Sequence, residues 1–60
     1  MPRQHVLIVD DDKDIARLFQ MVLSLMGFEC EVVHSARECL AKLALSAPDI
    51  VLLDLRLGLE

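Results

Sequence analysis

Aromatic side chains are almost missing from this chain, which has no Trp, no Tyr, and only Phe19 and Phe28. Without stacking platforms it is a poor candidate for binding single-stranded nucleic acid. Basic charge is scarce as well. Six Lys and Arg stand against ten Asp and Glu, a net charge of −4, which argues against nucleic acid or an anionic membrane as partner. Only two Gly and two Pro occur in 60 residues, and 55% of the chain is hydrophobic. That excludes collagen-like repeats and disorder. No apolar run is long enough to span a bilayer, and no basic stretch followed by an apolar one opens the chain, so a cytoplasmic protein without a signal peptide is expected. Cys30 and Cys39 form no CxxC pair and fall on apolar positions, so they read as small buried hydrophobes rather than as a disulfide or metal ligands. At this length one domain is expected, over residues 1–60, with no second.

What is present is a regular alternation of patterns. His5-Val6-Leu7-Ile8-Val9 is a mostly β-branched apolar run that ends on Asp10-Asp11-Asp12. Apolar residues without alternation predict a strand covered on both faces, as in a parallel sheet. Ile15, Leu18, Phe19, Val22 and Met26 then follow helical spacing, with Asp11 or Asp12 as N-cap and Gly27 as the stop. Cys30 to His34 is a second strand. Ser35-Ala36-Arg37-Glu38 fits a capping box opening a second helix. Along that helix Ala36, Cys39, Leu40 and Leu43 line one face, and Glu38 and Lys42 are spaced as an i,i+4 ion pair. Pro48 closes the segment, and Ile50-Val51-Leu52-Leu53 is a third buried strand ending on Asp54. The order βαβαβ predicts an α/β fold with parallel strands and right-handed crossovers.

Strands one and three both end in carboxylates, Asp10 and Asp11 on one and Asp54 on the other. Ligands of open α/β sheets bind outside those carboxyl ends. Converging carboxylates repel one another unless a cation neutralises them, and all-oxygen donors suit a hard divalent ion such as Mg²⁺. Asp12 and Asp14 are better explained by capping and by the helix dipole. His5 and His34 sit at strand ends without a partner at metal-ligand spacing, so each reads as a solvated or singly hydrogen-bonded imidazole.

Val6-Leu7-Ile8-Val9-Asp10-Asp11-Asp12, with Asp54 forty-three residues after Asp11 at the end of Ile50-Val51-Leu52-Leu53, closely resembles a response-regulator receiver domain of two-component signalling. Gly27-Phe28-Glu29-Cys30-Glu31-Val32-Val33 and Asp54-Leu55-Arg56-Leu57-Gly58 extend the likeness, although many members of the family carry proline where Gly58 stands. The resemblance implies a flavodoxin-like half-domain, with strands 1–3, helices 1–2 and strand order 2-1-3. It also implies that Asp54 is the phosphoacceptor. Asp11 and Asp54 would ligate Mg²⁺ directly, Asp10 would assist through water, and the Arg56 backbone carbonyl would complete the set. The donor implied is a sensor histidine kinase or a small acyl phosphate. Such a chain is no enzyme beyond self-phosphorylation and autodephosphorylation. The family's strand-four hydroxyl residue and strand-five lysine have no counterpart among these residues, so phosphoryl transfer is expected to be impaired.

Helix one carries its own implication. With Ala16, Met21, Leu23 and Leu25 added, its apolar positions cover an arc of about 220°, and only Lys13, Arg17, Gln20 and Ser24 form a polar stripe. One sheet face cannot cover that width. In the family's strand order 2-1-3-4-5, strand three would also be a bare apolar edge here. A homodimer through the strand 3 edge and helix 1 is therefore expected. An alternative function follows, in which a non-phosphorylatable half-domain acts as a self-associating scaffold. A Mg²⁺-dependent phosphohydrolase is weaker, because Asp54-Leu55-Arg56-Leu57 lacks a second acid two residues on. A dinucleotide site fails for want of a glycine-rich turn after strand one.

Overall fold

A computed structural model describes residues 3–53. Five elements follow in the order β1 (His5–Val9), α1 (Lys13–Leu25), β2 (Glu29–Val33), α2 (Ala36–Leu45) and β3 (Ile50–Leu53). The strands form one parallel sheet in the order β2-β1-β3, the order implied by the resemblance. β1 is central, with Val9 opposite Val33 on one side and Leu53 on the other.

Side-chain alternation sorts the sheet into two faces. Val6 and Ile8 point to the face covered by α1, where Ala16, Leu23, Phe28, Cys30, Val32 and Leu52 complete the packing. Leu7, Val9 and Val33 point to the α2 face and meet Cys39. Because β1 is sandwiched by strands and helices, four of its five residues are buried, whereas β2 and β3 are buried only in part. Cys30 and Cys39 are free, half-buried thiols on opposite faces of the sheet, in keeping with their reading as small hydrophobes.

α1 begins and ends as its sequence grammar dictates. The Asp12 side chain accepts from the Asp14 and Ile15 N–H groups at 3.0 and 3.1 Å, making Asp12 the N-cap. At the other end Gly27 adopts φ +98°. There the Gly27 N–H donates to Ser24 O and the Phe28 N–H to Leu23 O, at 3.1 and 3.0 Å, which is a Schellman closure. Only a residue without Cβ takes that φ without strain. α2 is capped by Ser35, whose Oγ accepts from the Glu38 N–H at 3.1 Å. Glu38 Oε1 reaches back to the His34 N–H at 3.2 Å, one residue before the position a standard capping box uses.

Three expectations need correction. Lys42 pairs with Glu31 of β2 at 2.6 Å rather than with Glu38. Glu38 is committed to the cap, and Glu31 projects from the sheet face beneath α2. Along α2 only Cys39 joins the core, while Leu40 is 68% exposed and Leu43 40%, because α2 overlies only part of its sheet face. β3 is not buried on both faces. Ile50, Val51 and Leu53 are exposed because β3 lies at the sheet edge, where only Leu52 packs into the cluster under α1.

The breadth of the α1 apolar arc emerges as expected. Ala16 is buried, Leu23 is half-buried against the sheet, and Ile15 is half-buried. Leu18, Met21, Val22 and Leu25 are exposed, Leu25 to 83%. Among the described residues no helix is long and apolar enough to cross a membrane.

Candidate functional site

At the carboxyl end of β1 three consecutive aspartates take three different positions. Asp10 is only 2% exposed. It follows Val9, the most deeply buried residue of the central strand, and its N–H extends the pairing with β2 by donating to Val33 O at 3.1 Å. Its side chain turns back on the chain, and Oδ1 accepts from the Asp12 N–H at 2.9 Å. This is the local Asx geometry that short acidic side chains favour. It carries the backbone from strand direction into the first turn of α1, where Asp12 is consumed as the cap.

Asp11, between them, is exposed and takes no hydrogen bond among the described residues. The triplet therefore offers one buried carboxylate held by a single backbone donor and one exposed carboxylate beside it. Asp12 and Asp14 serve the helix start, as the capping argument predicted.

The third strand approaches the same end of the sheet. Leu53 is the register partner of Val9, and these residues immediately precede Asp54 and Asp10 in the chain. Asp54 itself and Arg56 lie outside the described residues. Among the described residues no group of three or more His, Cys, Asp or Glu is gathered as a metal site. The donor set that is described, two carboxylates at the mouth of a parallel sheet, fits a hard, oxygen-seeking cation and offers no nitrogen or sulfur to a softer one.

One contact at this end had no separate signal in the sequence. The His34 ring lies against the cluster, with Nδ1 3.1 Å from the Asp10 carbonyl oxygen. The expectation of a singly hydrogen-bonded imidazole holds for His34, but its partner could be identified only from strand register. Val33 pairs with Val9, so the next residues on each strand, His34 and Asp10, become neighbours.

The opposite end of the sheet carries a separate set of polar contacts. His5 N–H donates to Asp49 Oδ2 at 2.8 Å while the Asp49 N–H donates to His5 O at 2.9 Å, so Asp49 fastens β3 to the start of β1. His5 Nε2 lies 3.4 Å from Glu29. These groups border an open cavity of about 490 Å³ with Lys42 and Pro48 on its walls. It sits at the amino ends of the strands, away from the acid cluster, with Glu31 on its wall. The Lys42 ammonium, hydrogen-bonded to Glu31 and opposite in charge, holds that carboxyl below its ordinary value.

Residues 6–59 match the family model described as the response regulator receiver domain. The chain is 38% identical to the transcriptional regulatory protein TrcR of Mycobacterium tuberculosis, in an alignment covering all of this chain and 28% of that protein. It is 40% identical to the DNA-binding response regulator MtrA of the same organism, over 92% of this chain and 24% of MtrA. To the regulatory protein AtoC of Escherichia coli K12 it is 36% identical, over 88% of this chain and 12% of AtoC. The chain thus spans about a quarter of the length of TrcR and MtrA. No solved structure matches it.

Proposed function

The chain belongs to the response-regulator receiver domain family, and on that premise we propose that it is a cytoplasmic receiver module that accepts a phosphoryl group on Asp54 from a sensor histidine kinase. Receiver domains are signalling modules of two-component systems rather than enzymes in the ordinary sense. The observation that carries the proposal is the placement of Asp10, buried at the carboxyl end of the central parallel strand with exposed Asp11 beside it. The neighbouring strand in register with β1 runs directly into Asp54 in sequence.

In this reading Asp10, Asp11, Asp54 and the Arg56 backbone carbonyl would hold Mg²⁺, Asp10 by way of water. Mg²⁺, when bound, supplies the charge neutralisation that lets an anionic carboxylate approach an anionic phosphoryl group. The reacting group is the Asp54 carboxylate. One of its oxygens forms a bond to phosphorus as the bond from phosphorus to the donor breaks, that donor being a phosphohistidine nitrogen or the carboxylate oxygen of an acyl phosphate. Asp10 and Asp11 contribute by position and charge. Residues 1–60 correspond on this proposal to the N-terminal half of a receiver domain, strands 1–3 with helices 1–2. With its net charge of −4, this segment is not itself a nucleic-acid contact.

A second reading, self-association through the β3 edge and α1, is favoured by one specific observation. Leu18, Met21, Val22 and Leu25 on α1 and, separately, Ile50, Val51 and Leu53 on the β3 edge are exposed, and exposed apolar side chains in such number mark interaction sites. It is compatible with phosphoryl uptake and competes with it only if uptake fails.

Native mass spectrometry of the chain with Mg²⁺ and acetyl phosphate, with Asp54→Asn as control, tests both. A covalent phosphoryl adduct on the parent, slow and in low yield as the expected impairment implies, and none on Asp54→Asn is expected, on a dimer. A parent that binds Mg²⁺ without ever gaining the adduct would overturn the phosphoacceptor reading. A stable monomer would overturn the dimer.

A further inference from the structure

We infer that His34 is a positioning residue for the acid cluster: its Nδ1–H···O=C bond to Asp10 holds the Asp10 backbone, and through it the cation-binding carboxylates, in place. The inference rests on the reading of Asp10 and Asp11 as cation-holding groups and adds a residue to it. β1 ends at Val9, so the Asp10 carbonyl lies past the last strand residue while the residue itself is 2% exposed. A buried carbonyl in that position needs a donor from elsewhere. Among the described residues the His34 ring is that donor, 3.1 Å away. Because a carbonyl only accepts, the ring must carry its proton on Nδ1.

His34 is itself tied down. Its backbone N–H donates to Glu38 Oε1 at 3.2 Å, and the same oxygen accepts from Ser35 Oγ at 3.3 Å. The backbone that carries the imidazole is thereby fixed to the capped start of α2. Asp10 is gripped at three points, two of them from the end of β2: its N–H by Val33 O, its C=O by His34, and its Oδ1 by the Asp12 N–H. A carboxylate so held has little freedom to reorient, and outer groups that restrain ligands commonly change metal affinity by about 10–100-fold.

Two substitutions separate donor from bulk. His34→Phe keeps a ring and removes the donor. His34→Asn places an amide N–H close to the Nδ1 position. MgCl₂ titrations of the chain followed by isothermal calorimetry should show the dissociation constant rising about tenfold in His34→Phe, with His34→Asn recovering most of the parent's affinity. Long-range ¹H–¹⁵N spectra of the unsubstituted chain, without metal, should show the proton of His34 on Nδ1. That measurement does not depend on any variant folding. Parent-like Mg²⁺ affinity in His34→Phe, or a ring protonated only on Nε2, overturns the inference. A parent that binds no Mg²⁺, or binds it equally well after Asp11→Asn, overturns the reading beneath it instead.

Discussion

Replacing Asp10 by Asn should reverse its effect on stability according to whether Mg²⁺ is present. Asp10 is 2% exposed, and among the described residues its carboxylate accepts one hydrogen bond, from the Asp12 N–H at 2.9 Å. Burying a carboxylate with so few donors is unfavourable, and exposed Asp11 next to it adds like charge. Asn has nearly the same shape and keeps the Oδ1 acceptor for Asp12, so the Asx turn into α1 survives. Removing the charge relieves its repulsion with Asp11, and part of that gain is forfeited because the new amide N–H groups lack assured acceptors. The net in metal-free buffer is stabilisation by about 1 kcal/mol, which for a domain this small raises Tm by about 4–8 °C.

With Mg²⁺ the order changes. A cation that binds only the folded chain stabilises it by about 1.4 kcal/mol at ten times its dissociation constant. The parent receives that increment and Asp10→Asn receives little of it, so the two curves should meet or cross. The assay is a pair of thermal melts by far-UV circular dichroism, in EDTA and in MgCl₂, at one fixed protein concentration because self-association would otherwise shift Tm. An Asp10→Asn chain that melts below the parent in EDTA would refute the argument that the burial is unfavourable. One whose Tm rises with Mg²⁺ as much as the parent's would refute the assignment of Asp10 to the cation.

Two further outcomes follow from the elements that frame the site. At Gly27 a Cβ would meet nothing within 4 Å, yet φ is +98°, so Gly27→Ala incurs backbone strain of about 1–2 kcal/mol. Reduced freedom of the unfolded chain returns about 0.4–1 kcal/mol of this, and urea unfolding should show a net loss near 1 kcal/mol; an unchanged midpoint would contradict the Schellman closure. The Glu31–Lys42 pair sets an acid limit. Lys42 holds the Glu31 carboxyl below its ordinary value, so the pair stabilises the fold above the ordinary glutamate range near pH 4.3, and that stability is lost as pH falls through the lowered value. Urea midpoints of Glu31→Gln should therefore converge on the parent's in acid and fall below them at neutral pH. The gap should narrow in about 1 M salt, where screening reaches about 3 Å. A gap that persists in acid would refute the electrostatic origin.

Local grammar was legible because its causes are local. The apolar run His5–Val9, the Asp12 cap, the Gly27 stop and the Ser35–Glu38 cap each depend on residues within about four positions of one another. Chain order alone gave the βαβαβ pattern, and the resemblance gave the strand order 2-1-3 that the structure shows. The acid cluster was visible as composition at strand ends. The width of the α1 apolar arc was visible too, since helical periodicity is fixed at about 100° per residue.

Tertiary structure decided what sequence spacing leaves open. Lys42 stands four residues from Glu38 and eleven from Glu31, and chain distance favours the first. The cap already claims Glu38, and the sheet delivers Glu31 to 2.6 Å. Ile50, Val51 and Leu53 look as apolar as the residues of β1, yet they are exposed because burial belongs to a strand's place in the sheet and not to its composition. The same holds at the site. Nothing in Asp10-Asp11-Asp12 tells which of Asp10 and Asp11 is buried and which is exposed, and nothing in His34 names Asp10 as its partner. Those assignments follow from the register of β1 against β2. Pairing of distant segments sets which neighbours a side chain meets, while the sequence sets only what it can do when it meets them.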